Sequence, residues 1–185
     1  MWMRITQIKM ITKTGMEVEF KSADPGEAEL EIAYLKQCCK ETRYLLSEPE
    51  DIAYTVESEE KFISDYETSD NSLMLNAYVN GTLIGNGSFA PVRDAKRLSH
   101  RCSMGIALFR EFCGMGIGEL LLNILMEQAK KASFEIMELD VVTTNTNAIR
   151  LYEKLGFETI GERKRAIKYK DGTYADELLM VKTLL

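Results

Sequence analysis

Residues 16 to 20 read Met-Glu-Val-Glu-Phe, with apolar side chains at every second position, the period of a half-buried strand. With the preceding ITQIKM and a Thr-Gly turn between them, this segment predicts two short strands. The stretch ADPGEAELEIAYLKQCCKET then predicts a helix, with Asp24 as N-cap, Pro25 in the first helical position and Glu27 completing a capping box. Leu30, Ala33, Tyr34 and Gln37 mark one face of it. Pro49 forbids a continuous helix through RYLLSEPEDIAY, and VESEEKFISDYETS is a second, short, acidic helix.

From residue 73 the pattern sharpens. Asn80-Gly81 joins two alternating runs and predicts a hairpin. CSMGIALF is the next strand, followed by a helix from about Gly116 whose apolar residues Ile117, Leu120, Leu121, Ile124, Leu125 and Ala129 recur at i, i+3 and i+4. FEIMELDVV is a further strand, and NAIRLYEKLG is a short helix stopped by Gly156. A last hairpin turns at Lys170-Asp171-Gly172. The order ββ-α-α-ββ-β-α-β-α-ββ predicts an α+β fold, a mixed sheet with helices packed on it.

Composition narrows the function. The chain has 185 residues, enough for one domain with a real core. Its net charge of −6 argues against a nucleic-acid partner, which needs basic patches. The one basic run, RKRAIKYK at 163–170, reads as a solvated strand face paired with nearby glutamates. No apolar run reaches membrane-spanning length, and MWMRITQIKM lacks the features of a signal peptide, so a cytoplasmic location is expected. Cys38, Cys39, Cys102 and Cys113 form no CxxC pair and are expected to be free and mostly buried. With His100 the only histidine, no multi-histidine metal site exists, and no metal is expected.

The informative stretch is CGMGIGELLLNILMEQAKKA, residues 113–132. Gly114, Gly116 and Gly118 precede a helix, the arrangement in which bare N–H groups and the helix dipole receive phosphates. A Walker loop would need Lys and Ser/Thr after the last glycine, where Glu119 and Leu120 stand. The spacing GxGxG also differs from the GxGxxG of dinucleotide folds. On the loop alone, a phosphate site and a tight packing turn remain equal alternatives.

The second cluster, NTNAIRLYEKLGFE at 145–158, separates them. Together the two segments resemble the GCN5-related N-acetyltransferase (GNAT) superfamily. Its acetyl-CoA loop has the form Gln/Arg-x-x-Gly-x-Gly/Ala, and Cys113-Gly114-Met115-Gly116-Ile117-Gly118 matches the glycine positions. Cys113 stands where Gln or Arg is usual, so contacts there fall to backbone amides. Asn145, Ala148, Ile149, Leu151, Tyr152, Gly156 and Phe157 match the second signature position by position.

The resemblance implies an acyl-CoA N-acyltransferase fold over residues 1–185. Residues 1–71 supply the N-terminal strands and acceptor-side helices, and 72–185 the cofactor core and final hairpin. It implies direct transfer of acetyl from acetyl-CoA, as co-substrate, to the primary amine of a small molecule or a protein. A homodimer is expected by the same analogy. Tyr152 is the implied acid for the leaving thiolate, with Asn145 and Ala148 along the pantetheine arm. Met115 to Gly118 would hold the diphosphate, and the strand segment Gly105-Ile106-Ala107-Leu108 the thioester. The base is unassigned among Glu48, Glu50, Asp51, Glu138, Asp140 and His100. Glu31, Tyr34, Tyr44 and Tyr54 are candidate acceptor walls. A non-catalytic acyl-CoA sensor is the alternative.

Overall fold

The structure, a computed structural model, describes residues 3–185. Eight strands form one sheet: β1 (Ile8–Ile11), β2 (Glu17–Ser22), β3 (Leu73–Val79), β4 (Thr82–Pro91), β5 (Arg101–Leu108), β6 (Ile136–Val142), β7 (Glu158–Lys168) and β8 (Tyr174–Thr183). Their spatial order is β1-β2-β3-β4-β5-β6-β8-β7, and only β5 and β6 run parallel. A parallel neighbour requires a crossover, supplied here by α3 (Ile117–Lys131). The predicted α+β class, with a mixed and mostly antiparallel sheet, is the one observed.

Turn chemistry explains the hairpins. Asn80 and Gly81 both have positive φ (51° and 79°), the type I′ geometry that matches strand twist. α2 (Val56–Glu67) starts where Thr55 accepts from the Ser58 N–H at 3.2 Å. α4 (Thr146–Lys154) is capped by Asn145 and ends at Gly156, whose φ of 84° closes the helix.

The sheet separates two helical layers. Leu121, Leu122 and Leu125 of α3, together with Tyr152 of α4, join Phe20, Leu75, Phe89, Met104 and Met137 in the main core. α1 (Ala28–Glu41) and α2 cover the opposite face, with smaller clusters around Ile63 and Met74 and around Tyr34, Tyr78 and Leu83.

Two expectations for the first helix are corrected. Asp24 caps a 3-10 turn, Pro25–Glu27, by accepting from the Gly26 N–H at 2.9 Å, and α1 begins only at Ala28. Glu27 completes no capping box. Its carboxylate accepts from the Tyr78 hydroxyl at 2.6 Å and from Lys21 at 3.0 Å. The buried face of α1 is Ala28, Glu31, Tyr34 and Cys38, whereas Leu30, Ala33 and Gln37 are exposed. Apolar periodicity points to the wrong face because the helix buries a carboxyl group.

That carboxyl group has prepared partners. Asn76 of β3 donates to Glu31 and to the Tyr78 hydroxyl, and Asn86 of β4 donates to Asn76 at 2.7 Å. Burial still pushes Glu31 up to about 7, the Asn76 hydrogen bond opposing it. A folded-state value above the unfolded 4.5 favours the protonated form. Its contribution to stability is therefore full below about 4.5 and lost as pH rises through about 7. Glu31→Gln keeps the acceptor and removes the ionisation. It is expected to be more stable than wild type above pH 7 by up to about 3 kcal/mol, with the difference vanishing near pH 4.5, as urea unfolding at the two pH values would read.

Candidate active site

β5 and β6 pair only from Arg101–Ser103 to Ile136–Glu138. Beyond that point the two parallel strands separate, while β5 stays laddered to β4 as far as Leu108 and β6 to β8 as far as Val142. The gap thus opens at the carboxyl ends of adjacent parallel strands, where ligands bind in sheets of this kind. Which groups face it follows from ladder alternation. Val92 donates to the Arg101 carbonyl and Phe109 to the Ile84 carbonyl, so odd residues of β5 spend their main-chain bonds on β4. The main-chain groups of Met104, Ile106 and Leu108 are left facing the gap. Gly105 and Ala107 turn theirs to β4, and the Ala107 carbonyl also accepts from the Tyr34 hydroxyl at 2.8 Å.

The glycine loop closes the same end. After Phe109 the chain makes a 3-10 turn, Arg110–Phe112, pinned where the Arg110 N–H donates to Glu41 of α1 at 2.7 Å. Gly114 and Gly116 have φ of 80° and 87° with nothing near where a Cβ would stand, so backbone conformation selects glycine there. Gly118 is different. A Cβ on it would meet Leu151 of α4 at 3.1 Å and Leu108 of β5 at 3.4 Å, so close packing selects it. No side chain caps α3. Among the described residues, the N–H groups from Gly114 to Glu119 have no protein acceptor; the first helical bond is Leu120 N–H to Gly116. Six adjacent donors at a helix N-terminus fit a diphosphate. Cys113 is exposed, its thiol directed at the Phe109 carbonyl at 3.6 Å, while Cys38, Cys39 and Cys102 are buried; all four are free.

α4 brings the second cluster alongside. Asn145 is its N-cap, accepting from the Ala148 N–H at 3.4 Å, which leaves its amide nitrogen available. Ala148 packs partly buried on the main core. Tyr152 is 7% exposed and packs on Phe157, ring centroids 5.8 Å apart. Burial pushes its phenol up to about 12, so the hydroxyl keeps its proton. That hydroxyl has no protein partner among the described residues, yet no fully enclosed side-chain N or O is unsatisfied, so it opens onto solvent-accessible space.

The opposite face carries a cleft of about 320 Å³ lined by Tyr44, Leu46, Asp140, Val142, Arg163, Ala166, Ile167 and Glu177. Met137, Leu139 and Val141 point into the main core, so Asp140 points to the α1 side. A larger cleft, about 550 Å³, touches Met115 of the loop and is otherwise lined by the hairpin turns around Gly15 and Asn80.

The base candidates separate by position. His100 precedes β5, at the end remote from the glycine loop and roughly 25 Å from it at strand rise. Glu138 is held by Arg101 at 2.7 Å in the paired part of β5 and β6. Glu50 pairs with Lys170, and Asp51 accepts from the Glu48 N–H. Asp140 alone lies on β6 beyond the point of separation, at the register that would face Gly105 were the ladder continued. Of the candidate walls, Tyr44 lines the cleft, its hydroxyl bonded to the Thr144 carbonyl at 3.2 Å. Tyr34 and Glu31 are buried in structural bonds, and Tyr54 is exposed outside the cleft.

Residues 39–157 match the profile of the acetyltransferase (GNAT) family. The chain belongs to the GNAT family. Among solved structures it superposes on a GNAT acetyltransferase from Streptococcus pneumoniae with a TM-score of 0.86 and 29% identity, covering 90% of this chain and 99% of that one. The yncA protein of Salmonella typhimurium, solved with acetyl-CoA, gives 0.80 at 18% identity, covering 91% and 94%. In sequence, the chain is 28% identical over 109 residues to the L-amino acid N-acetyltransferase AaaT of Escherichia coli (58% of this chain, 66% of that protein). It is 29% identical over 96 residues to the ribosomal protein bS18-alanine N-acetyltransferase of the same species (51% and 65%). The matched regions thus span less than two thirds of these curated relatives.

Sequence reasoning missed three residues of this candidate site: Glu41 holds the backbone flanking the loop, and Arg163 and Glu177 line the cleft. Tyr34, read as an acceptor wall, instead holds the Ala107 carbonyl. Arg163 sits in the basic run read as solvated, and that run is indeed paired with acids, through Asp140, Glu177, Glu162, Asp176 and Glu50. Among the described residues no cluster of His, Cys, Asp or Glu is set to ligate a metal, and no helix is long and apolar enough to cross a membrane.

Proposed function

We propose that this protein is an N-acetyltransferase that moves an acetyl group from acetyl-CoA directly to a primary amine in a ternary complex. The observation that carries the reading is the run of amides from Gly114 to Glu119 that have no acceptor among the described residues, at the end of β5 where it has parted from β6. These amides and the helix dipole would hold the diphosphate, and the outward main-chain groups of Met104, Ile106 and Leu108 would pair with the pantetheine arm. Acetyl-CoA supplies an activated acetyl thioester there.

The chain's own residues divide the remaining work by face. A main-chain N–H of Ile106 or Leu108 polarises the acyl oxygen. Asp140, on the α1 face, takes the proton that the amine sheds as its nitrogen bonds to the acetyl carbon. Tyr152, on the α3–α4 face, donates its hydroxyl proton toward the sulfur as the carbon–sulfur bond breaks. Entry from one face and departure by the other keeps acceptor and thiolate apart. Asp140→Asn is expected to lower kcat/KM by about 100-fold or more, with partial recovery at alkaline pH where more acceptor is already deprotonated.

The test of the function is thiol release from acetyl-CoA with a panel of amines, run beside calorimetry of acetyl-CoA binding. Binding with amine-dependent thiol release is expected. Binding without release for any amine would favour the sensor alternative, and absence of binding would remove both.

A further inference from the structure

The cleft beside Asp140 has an unusual charge arrangement. Arg163 donates from Nη1 alone, to Glu177 at 2.9 Å and to Asp140 at 3.3 Å. Its Nη2 and Nε have no acceptor among the described residues, although the guanidinium is a planar fork made for two parallel bonds to a carboxylate. Glu177 is 7% exposed and holds the guanidinium root in place, while the Arg163 side chain is about half exposed. Arg163 is the single cation among the lining residues.

The backbone is shaped to present this fork. β7 breaks register first between Thr159 and Gly161, after which Arg163 pairs directly with Glu177, and again between Arg163 and Ile167, where Arg165 has φ of 53°. The second break is fastened at two points: the Arg165 N–H donates to Asp176 at 2.7 Å, and its guanidinium lies 3.9 Å from the Tyr174 ring. Strand irregularities of this kind re-aim side chains beside binding sites. Here the break sets Ala166 and Ile167 as an apolar wall facing Tyr44 and Leu46.

We propose that the acceptor bound here is an apolar α-amino acid, recognised as a zwitterion. The free edge of Arg163 takes the α-carboxylate. Asp140 takes the α-ammonium and so occupies the second charge of the same ligand. Tyr44, Leu46 and Ile167 receive the side chain. Adjacent carboxylate and guanidinium match the adjacent ammonium and carboxylate of such a ligand, and about 320 Å³ accommodates one. A peptide N-terminus or a simple amine would leave the Arg163 edge unused. This assignment rests on the acetyltransferase reading and adds the acceptor class to it.

Three acceptors with one side chain test it on the wild-type protein: leucine, leucinamide and 3-methylbutylamine, each followed by thiol release from acetyl-CoA. Leucine is expected to exceed the two carboxylate-free amines in kcat/KM by at least about 100-fold, because a built polar site rejects ligands lacking its partner. Arg163→Lys keeps the charge beside Glu177 but loses the fork, and should reduce that ratio by about tenfold or more. Calorimetry of leucine against the protein saturated with CoA should show the same loss without turnover. Equal rates for leucine and 3-methylbutylamine, or selectivity unchanged in Arg163→Lys, would overturn the acceptor assignment while leaving the acetyltransferase intact. Thiol release with none of a wider amine panel would overturn both.

Discussion

Tyr152→Phe is expected to lower turnover by about 100-fold or more while leaving acetyl-CoA affinity within about twofold. The substitution removes one oxygen and keeps the ring against Phe157, so packing of α4 is preserved. What is lost is a hydroxyl donor that has no protein acceptor among the described residues. A CoA thiol ordinarily titrates near about 8.5, well below the phenol at about 12. In the proposed reaction Tyr152 would therefore act chiefly by donating a strong hydrogen bond to the departing sulfur, with full proton transfer favoured only as burial raises the thiol too. The sign of the shift adds a pH consequence. A phenol raised to about 12 remains a donor throughout the neutral and moderately alkaline range, so Tyr152 should contribute no alkaline fall in rate below about pH 11. Single-turnover thiol release across pH would check both points. Unchanged chemistry in the phenylalanine variant would remove Tyr152 from the reaction.

Gly118→Val is the second large effect expected, a loss of at least about 50-fold in acetyl-CoA affinity together with about 1–3 kcal/mol of stability. The first methyl position already meets Leu151 at 3.1 Å and Leu108 at 3.4 Å, and a branched side chain extends into both. α3 must then lift from β5 and α4, carrying the amides of Ile117 to Glu119 with it. Gly114→Ala is the informative contrast. It meets no atom, so its cost is confined to the left-handed backbone, about 1–2 kcal/mol locally. Urea unfolding and calorimetry on the two variants separate the packing glycine from the conformational one. Similar affinity losses in both would contradict the division of labour argued for the loop.

Much of this was legible in the chain. The hairpin at Asn80-Gly81, the α3 stripe and the stop at Gly156 were readable because turn chemistry and apolar period act locally. The two signatures likewise pointed to the family and to the proposed cofactor side of the site, since a glycine loop and a helix cap are contiguous in sequence. α1 was misread because the group it buries, Glu31, is polar, and its partners Asn76 and Asn86 lie 45 and 55 residues further along the chain. A polar residue at an inward strand position, as at Asn76, is the signal that could have exposed the network. The acceptor side was least legible. Asp140, Arg163 and Glu177 sit on three strands and meet only through sheet order, and Arg163 faces the cleft only because β7 breaks register. Among the base candidates on or beside β5 and β6, only Asp140 lies beyond the point where the two strands part after Ser103 and Glu138, which is what singles it out for the proposed role.

The most direct measurement is a crystal structure with CoA bound. The diphosphate oxygens should lie within about 3.2 Å of N–H groups between Gly114 and Glu119. The pantetheine should run along Met104 to Leu108 in the β5–β6 gap, with the sulfur in hydrogen-bonding reach of the Tyr152 hydroxyl. A diphosphate seated elsewhere, or a sulfur distant from a Tyr152 hydroxyl turned into the core, would contradict the account.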